Sequence, residues 1–115
     1  MKGAGEEILL LGAGGMGMLP LARYLHEGGA RVTGYDDALS AEAARFYHAL
    51  GRPLLGPGEA PPPCHRWIRS SAIRPDHPWL ERVRARSPEA GGWRRGEWLA
   101  ELARDKRLLA VAGSH

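Results

Sequence analysis

The feature that most constrains this chain is Gly12-Ala13-Gly14-Gly15-Met16-Gly17, set between an apolar run and an amphipathic segment. Ile8-Leu9-Leu10-Leu11 is continuous apolar sequence, as in a strand buried on both faces. Met18, Leu21, Ala22 and Leu25 then recur at helical spacing, and Gly28-Gly29 stops the helix. A G-x-G-x-x-G turn in that place has a specific physics. Gly12 permits the tight turn, Gly14 lets a diphosphate approach the backbone, and Gly17 allows helix to pack closely on strand. The free N–H groups and the positive end of the helix favour an anion. The same residues also suit a plain strand-to-helix turn, and the motif alone does not say which nucleotide is bound. Pro20 lacks an N–H, so the helix must start near Gly17 to place it in the first turn.

The rest of the chain alternates in the same way. Ala30 to Tyr35 reads as a second strand. Ser40 caps a helix over Ala41 to Leu50, with Ala44, Tyr47, Ala49 and Leu50 toward a core and Gly51 as its end. Gly56 to Pro63 is a stiff glycine-proline connector. Cys64 to Ser70 predicts a strand, and His77-Pro78 starts a helix to about Arg86 with proline at its favoured first position. Gly92 to Arg94 predicts a short strand, Glu97 to Arg104 a helix, and Arg107 to Ala112 a last strand. Strand and helix in alternation imply an α/β domain: a parallel sheet with helices on both faces.

Asp36 and Asp37 follow the second strand about twenty residues past the glycines. There an acid takes ribose hydroxyls in a dinucleotide fold, or accepts the imide N–H of uracil; a solvated turn is the plainer alternative. Ser70 and Ser71 follow the fourth strand, at the sheet edge where open α/β folds bind ligands, and their hydroxyls suit a phosphate. The five histidines show no metal spacing, so no metal site is expected. Trp67, Trp79, Trp93 and Trp98 are expected in core and edge packing. One cysteine, Cys64, excludes an internal disulfide and fits a reducing, cytoplasmic setting. No apolar run is long enough to span a membrane. Residues 1–57 carry five Lys/Arg against six Asp/Glu, and residues 58–115 carry eleven against seven, so the second half suits an anionic ligand. No basic helix interleaved with aromatics points to nucleic acid.

Together these segments resemble the N-terminal domain of the Mur ligases. The residues that carry the resemblance are Ile8 to Met18, Val32-Thr33-Gly34-Tyr35-Asp36, Ser70-Ser71-Ala72-Ile73 with Pro75-Asp76-His77-Pro78, and Ala110-Val111-Ala112-Gly113-Ser114-His115. They match, in order, a G-x-G-G-x-G-M loop, V-[ST]-G-x-D, S-S-A-I with an [ND]-P pair, and A-V-[AT]-G-[TS]-H-G-K-T. His77 stands where the family usually has Asn, Pro20 replaces a small residue, and Tyr35 replaces a smaller one. Within the family the pattern is most similar to the branch that joins L-alanine to UDP-N-acetylmuramate in peptidoglycan synthesis.

The resemblance implies a Rossmann-like domain over residues 1–106 that holds the UDP part of UDP-N-acetylmuramate. Gly14, Gly15, Met16, Gly17, Ser70 and Ser71 would face the diphosphate, and Asp36 with Asp37 the uridine. Residues 107–115 would open the central ATPase domain, with Gly113, Ser114 and His115 as part of its phosphate loop. The Gly-Lys-Thr half of that loop does not follow. The chain is therefore expected to act as one part of an ATP-dependent ligase, to need no cofactor itself and to catalyse nothing alone. Mg, ATP and L-alanine would be met only by the parent. The apolar run Leu108 to Ala112 raises the expectation of a weak homodimer. Three readings stand beside this one: the paralogous murein peptide ligase, an NAD-binding Rossmann domain of an oxidoreductase, and a binding module with no catalytic partner.

Overall fold

The computed structural model describes residues 3–104. Five parallel strands lie in the order β3-β2-β1-β4-β5. They are β1 Glu7–Leu11, β2 Arg31–Tyr35, β3 Leu54–Leu55, β4 Arg66–Arg69 and β5 Gly91–Arg94. The helices are α1 Met18–Glu27, α2 Ala41–Leu50, α3 Pro78–Arg86 and α4 Arg95–Ala103. This is the expected α/β domain with helices on both faces. The expected last strand, and with it Gly113, Ser114 and His115, lies outside the described residues.

The central strand shows why the sheet is covered twice. Its side chains alternate: Ile8 and Leu10 join one core with α1, α2 and α4, while Leu9 and Leu11 join the other with α3. The first core holds Met18, Leu21, Ala22 and Leu25 from α1, Tyr47 from α2, and Trp98 and Leu102 from α4. The second holds Tyr35, Trp67, Ile73, Trp79, Leu80 and Val83. Burying each large side chain contributes about 1.5–3 kcal/mol, so these stripes dominate the stability. Two glycines make room for aromatics. A Cβ at Gly34 would lie 2.6 Å from the Tyr47 ring, and one at Gly92 would lie 2.0 Å from Trp67.

Several expectations are corrected. β3 was not foreseen; it adds Leu54 and Leu55 beside Gly34 and Tyr35. Strand β4 begins at Arg66 rather than Cys64, and α4 at Arg95 rather than Glu97. In α2 the buried alanine is Ala43, one position before Ala44; Ala44 and Ala49 face solvent. The helix phase is set by Tyr47, whose ring must reach Gly34, and Ala43 lies one turn before it on that face. Ser40 caps α2 as expected, accepting from the Ala43 N–H at 3.1 Å. Gly17 precedes α1, so Pro20 falls in its first turn. Trp79 and Trp98 are buried and Trp93 is half-buried, in keeping with core and edge roles.

Candidate functional site

The carboxyl ends of β1, β2, β4 and β5 bring the predicted residues to one edge of the sheet. The turn after Leu11 is closed by its own backbone. Gly12 and Ala13 donate to the Tyr35 carbonyl at 2.8 and 2.9 Å, Gly15 donates to Gly12 at 2.8 Å, and Met18 to Gly15 at 3.0 Å. Gly12 and Gly17 hold φ of +79° and +78°, a region that only glycine enters freely. The Gly14 N–H donates to Asp36 Oδ2 at 2.8 Å. The Met16 and Gly17 N–H groups find no acceptor among the described residues, and they precede α1 where the helix dipole is positive. The Met16 side chain is 96% exposed at the tip of the loop.

Ser70 lies directly beneath this turn. Its N–H donates to the Leu11 carbonyl at 2.9 Å, which anchors it to the central strand. A Cβ at Gly12 would lie 2.3 Å from Ser70 Oγ, so the first glycine is needed for the approach of Ser70 as well as for the turn. The hydroxyl is buried and has no hydrogen-bond partner among the described residues. A buried polar group left so costs about 1–3 kcal/mol, a cost that an incoming acceptor removes. Ser71 is exposed beside it. Ser70, Ser71 and Met16 line a cavity of about 290 Å³ together with Arg94, Arg95, Gly96 and Glu97.

Arg94 and Arg95 are the residues that sequence reasoning missed. They close β5 and open α4, which places two cations and a helix N-terminus on the same edge as the glycine loop. Arg95 Nε donates to the Gly17 carbonyl at 3.3 Å, and a Cβ at Gly17 would lie 2.5 Å from the guanidinium. The third glycine of the motif therefore serves Arg95 as well as the helix. Arg95 has no carboxylate partner among the described residues. The Arg94 N–H donates to Glu97 Oε1 at 2.8 Å and holds that carboxyl below its usual range. The signal was present in the sequence as an Arg-Arg pair after a short strand.

The other half of the site is acidic. Asp36 accepts from Gly14, and its second oxygen lies 3.5 Å from the Ala38 N–H. A Cβ at Gly14 would lie 3.1 Å from Asp36 Oδ2, with Ala43 Cβ and Ser40 Oγ each at 3.5 Å. Gly14 thus leaves room for Asp36 and the start of α2. Asp37 is held apart from the glycine loop. Its carboxylate accepts from the Tyr35 hydroxyl at 2.6 Å and lies 2.8 and 3.0 Å from His77 Nε2. These contacts, the Tyr35 hydroxyl first, hold the Asp37 carboxyl below its usual range. Tyr35 is pushed up from its ordinary value, chiefly by burial.

No helix among the described residues is long and apolar enough to cross a membrane. No group of three or more His, Cys, Asp or Glu among them is placed to hold a metal ion.

Residues 7–107 match the model of the Mur ligase family, catalytic domain. The chain is 40% identical over 96% of its length to the UDP-N-acetylmuramate–L-alanine ligase of Frankia alni, and it covers 20% of that protein. It is 35% identical over its whole length to the ligase of the same name from Methylibium petroleiphilum, of which it covers 24%. Among solved structures, it matches the UDP-N-acetylmuramate-alanine ligase of Thermotoga maritima at 27% identity. The TM-score is 0.72, over 86% of this chain and 23% of that one. The chain thus spans a fifth to a quarter of these relatives.

Proposed function

We propose, from the premise that this chain belongs to the Mur ligase family, that its sheet edge holds the UDP portion of UDP-N-acetylmuramate. The parent would be the ATP-dependent ligase that joins L-alanine to that nucleotide sugar, working in the cytoplasm. The observation that carries the reading is the Ser70 hydroxyl, buried and without a partner among the described residues, at the edge of a cavity bounded by Arg94 and Arg95. Such a donor set suits an anion. The Met16 and Gly17 N–H groups, Ser70, Ser71 and Arg95 would receive the diphosphate, with Gly14 and Gly15 shaping the loop that carries them. Arginine suits this place because its planar fork meets phosphate oxygens two at a time. Asp36, on the β2 side, would receive the uridine.

The division of labour follows from charge. Arg95, which has no carboxylate partner among the described residues, and the N-terminus of α4 lie on the β4–β5 side, where Arg94 pairs with Glu97, and the Asp36 carboxylate faces the β2 side. A diphosphate is attracted to the first and repelled by the second, so the ligand has one orientation. An NAD cofactor would place its acidic partner similarly, and the relatives' names argue against that use. The same names favour the alanine ligase over the peptide-adding paralogue. Mg and ATP would be handled by other parts of the parent, and L-alanine likewise. ATP would supply the phosphoryl group that activates a carboxylate as its acyl phosphate, from which the amine of alanine would displace inorganic phosphate.

The test is a thermal melt of the 115-residue chain with UDP, UDP-N-acetylmuramate or NADH. Ligand at a hundred times its dissociation constant adds about 2.7 kcal/mol of stability. A shift with either uridine nucleotide that Ser70→Ala and Arg95→Ala diminish is expected. A shift with NADH and none with UDP at millimolar concentration sinks the reading.

A further inference from the structure

Asp37 stands next to Asp36 in the chain, yet the two carboxylates have different partners. Asp36 reaches the glycine loop at Gly14. Asp37 meets two residues of the α3 side, Tyr35 and His77. Tyr35 is 1% exposed, with its ring stacked on Trp79 at 3.8 Å and edge-on to His77 at 5.8 Å. His77 caps α3: its Nδ1 accepts from the Trp79 N–H at 3.0 Å. A nitrogen that accepts carries no proton, so in the neutral ring the proton sits on Nε2 and points to Asp37. Trp79 in turn donates from Nε1 to the Glu59 carbonyl at 2.8 Å, which ties the proline-rich connector to the same cluster. Two residues, Tyr35 and His77, therefore converge on one carboxylate, and Trp79 ties them to α3 and to the connector at Glu59.

We propose that Asp37 is a positioning residue: it fastens the end of β2 to the cap of α3 and so holds Asp36 against Gly14, without touching the ligand. Tyr35 and His77 are the other half of the clamp. The peptide between Asp36 and Asp37 is short, so a carboxylate fixed on one side limits where its neighbour can go. That placement decides which N–H groups of the glycine loop remain available. Gly14 is occupied by Asp36, and Met16 and Gly17 are left for an anion. The effect on ligand rests on the UDP reading above, whereas the clamp itself is tested without ligand.

The experiment compares the 115-residue chain with Tyr35→Phe, Asp37→Ala, His77→Gln and the double variant Y35F/D37A. In the ligand-free protein, nitrogen NMR is expected to show His77 protonated on Nε2 and bare on Nδ1. Amide exchange at Gly14 is expected to quicken in Tyr35→Phe and in Asp37→Ala. Tyr35→Phe keeps the ring stacked on Trp79, so it separates the clamp from the fold. By calorimetry, each single variant is expected to bind UDP roughly three- to tenfold more weakly, the size of one lost hydrogen bond. The double variant should be no weaker than Asp37→Ala alone, since both changes cut the same link. Weakened UDP binding in Asp37→Ala with none in either Tyr35→Phe or His77→Gln would mean that Asp37 touches the ligand, and would overturn the proposal. Unchanged Gly14 exchange in both would overturn it too. If Gly14 responds and the unmodified chain ignores UDP, the clamp stands and the nucleotide reading falls.

Discussion

Gly12 and Gly14 are two residues apart and fail in different ways when given a side chain. Gly12 sits at φ +79° with Ser70 Oγ 2.3 Å from where a Cβ would be. Gly12→Ala must strain the turn and displace Ser70, so we expect a loss of about 1–3 kcal/mol in urea denaturation. Gly14 lies outside the left-handed region, and a side chain there meets the Asp36 carboxylate. Gly14→Val is therefore expected to weaken UDP binding by calorimetry more than it weakens the fold. Equal UDP affinity in that variant would make the second glycine purely structural. Asp37 carries a pH signature of its own. Its folded value is lowered, first by the Tyr35 hydroxyl, so its contribution is fully present above the unfolded value of about 3.9 and fades as pH falls through the lower folded one. Asp37→Asn should therefore lower stability at pH 6, and the gap to the unmodified chain should close in the most acidic melts. A gap that persists there would mean that packing, not charge, is what the substitution removes.

At the scale of elements, most of the fold was legible because its signals are local. The four apolar residues before the glycines, the helical spacing from Met18 to Leu25, and the Ser40 and His77-Pro78 helix starts each specify their element without help from the rest. Ser40→Ala should cost about 1 kcal/mol, read by chemical denaturation, because the hydroxyl satisfies the Ala43 N–H. An unchanged midpoint would show that water replaces the cap fully. What could not be read was set by neighbours. β3 is two residues long and is a strand only because Gly34 and Tyr35 lie beside it. The phase of α2 depends on the Tyr47 ring finding Gly34. The site divides the same way. Glycine spacing and acid placement are visible in the sequence, and they pointed to Gly14, Asp36 and Ser70. That Arg95 leans on Gly17 is a contact across 78 residues and exists only once β4 and β5 are paired.

The whole molecule sets its site at the point where the sheet changes direction. From β1 the chain runs outward through β2 to β3, then crosses to β4 and β5 on the other side. The glycine loop therefore stands between two halves that meet it separately: Asp36 from the β2 side, Ser70 and Arg95 from the β4–β5 side. A ligand with an anionic middle and a neutral base would touch both halves at once. This yields a prediction that a simple anion and a nucleotide should answer differently. Hydrogen exchange with UDP bound is expected to slow at Met16 and Gly17, at 36–40 and at 94–97 together. Inorganic pyrophosphate has no base to reach Asp36, so it should protect the loop and 94–97 and leave 36–40 unchanged. The stretch of α3 beyond Leu80, where Val83 packs into the second core, contributes no residue to the cavity and should respond to neither. Protection by UDP confined to one half would mean that the two sides do not act as one site, and the uridine would have to be placed elsewhere.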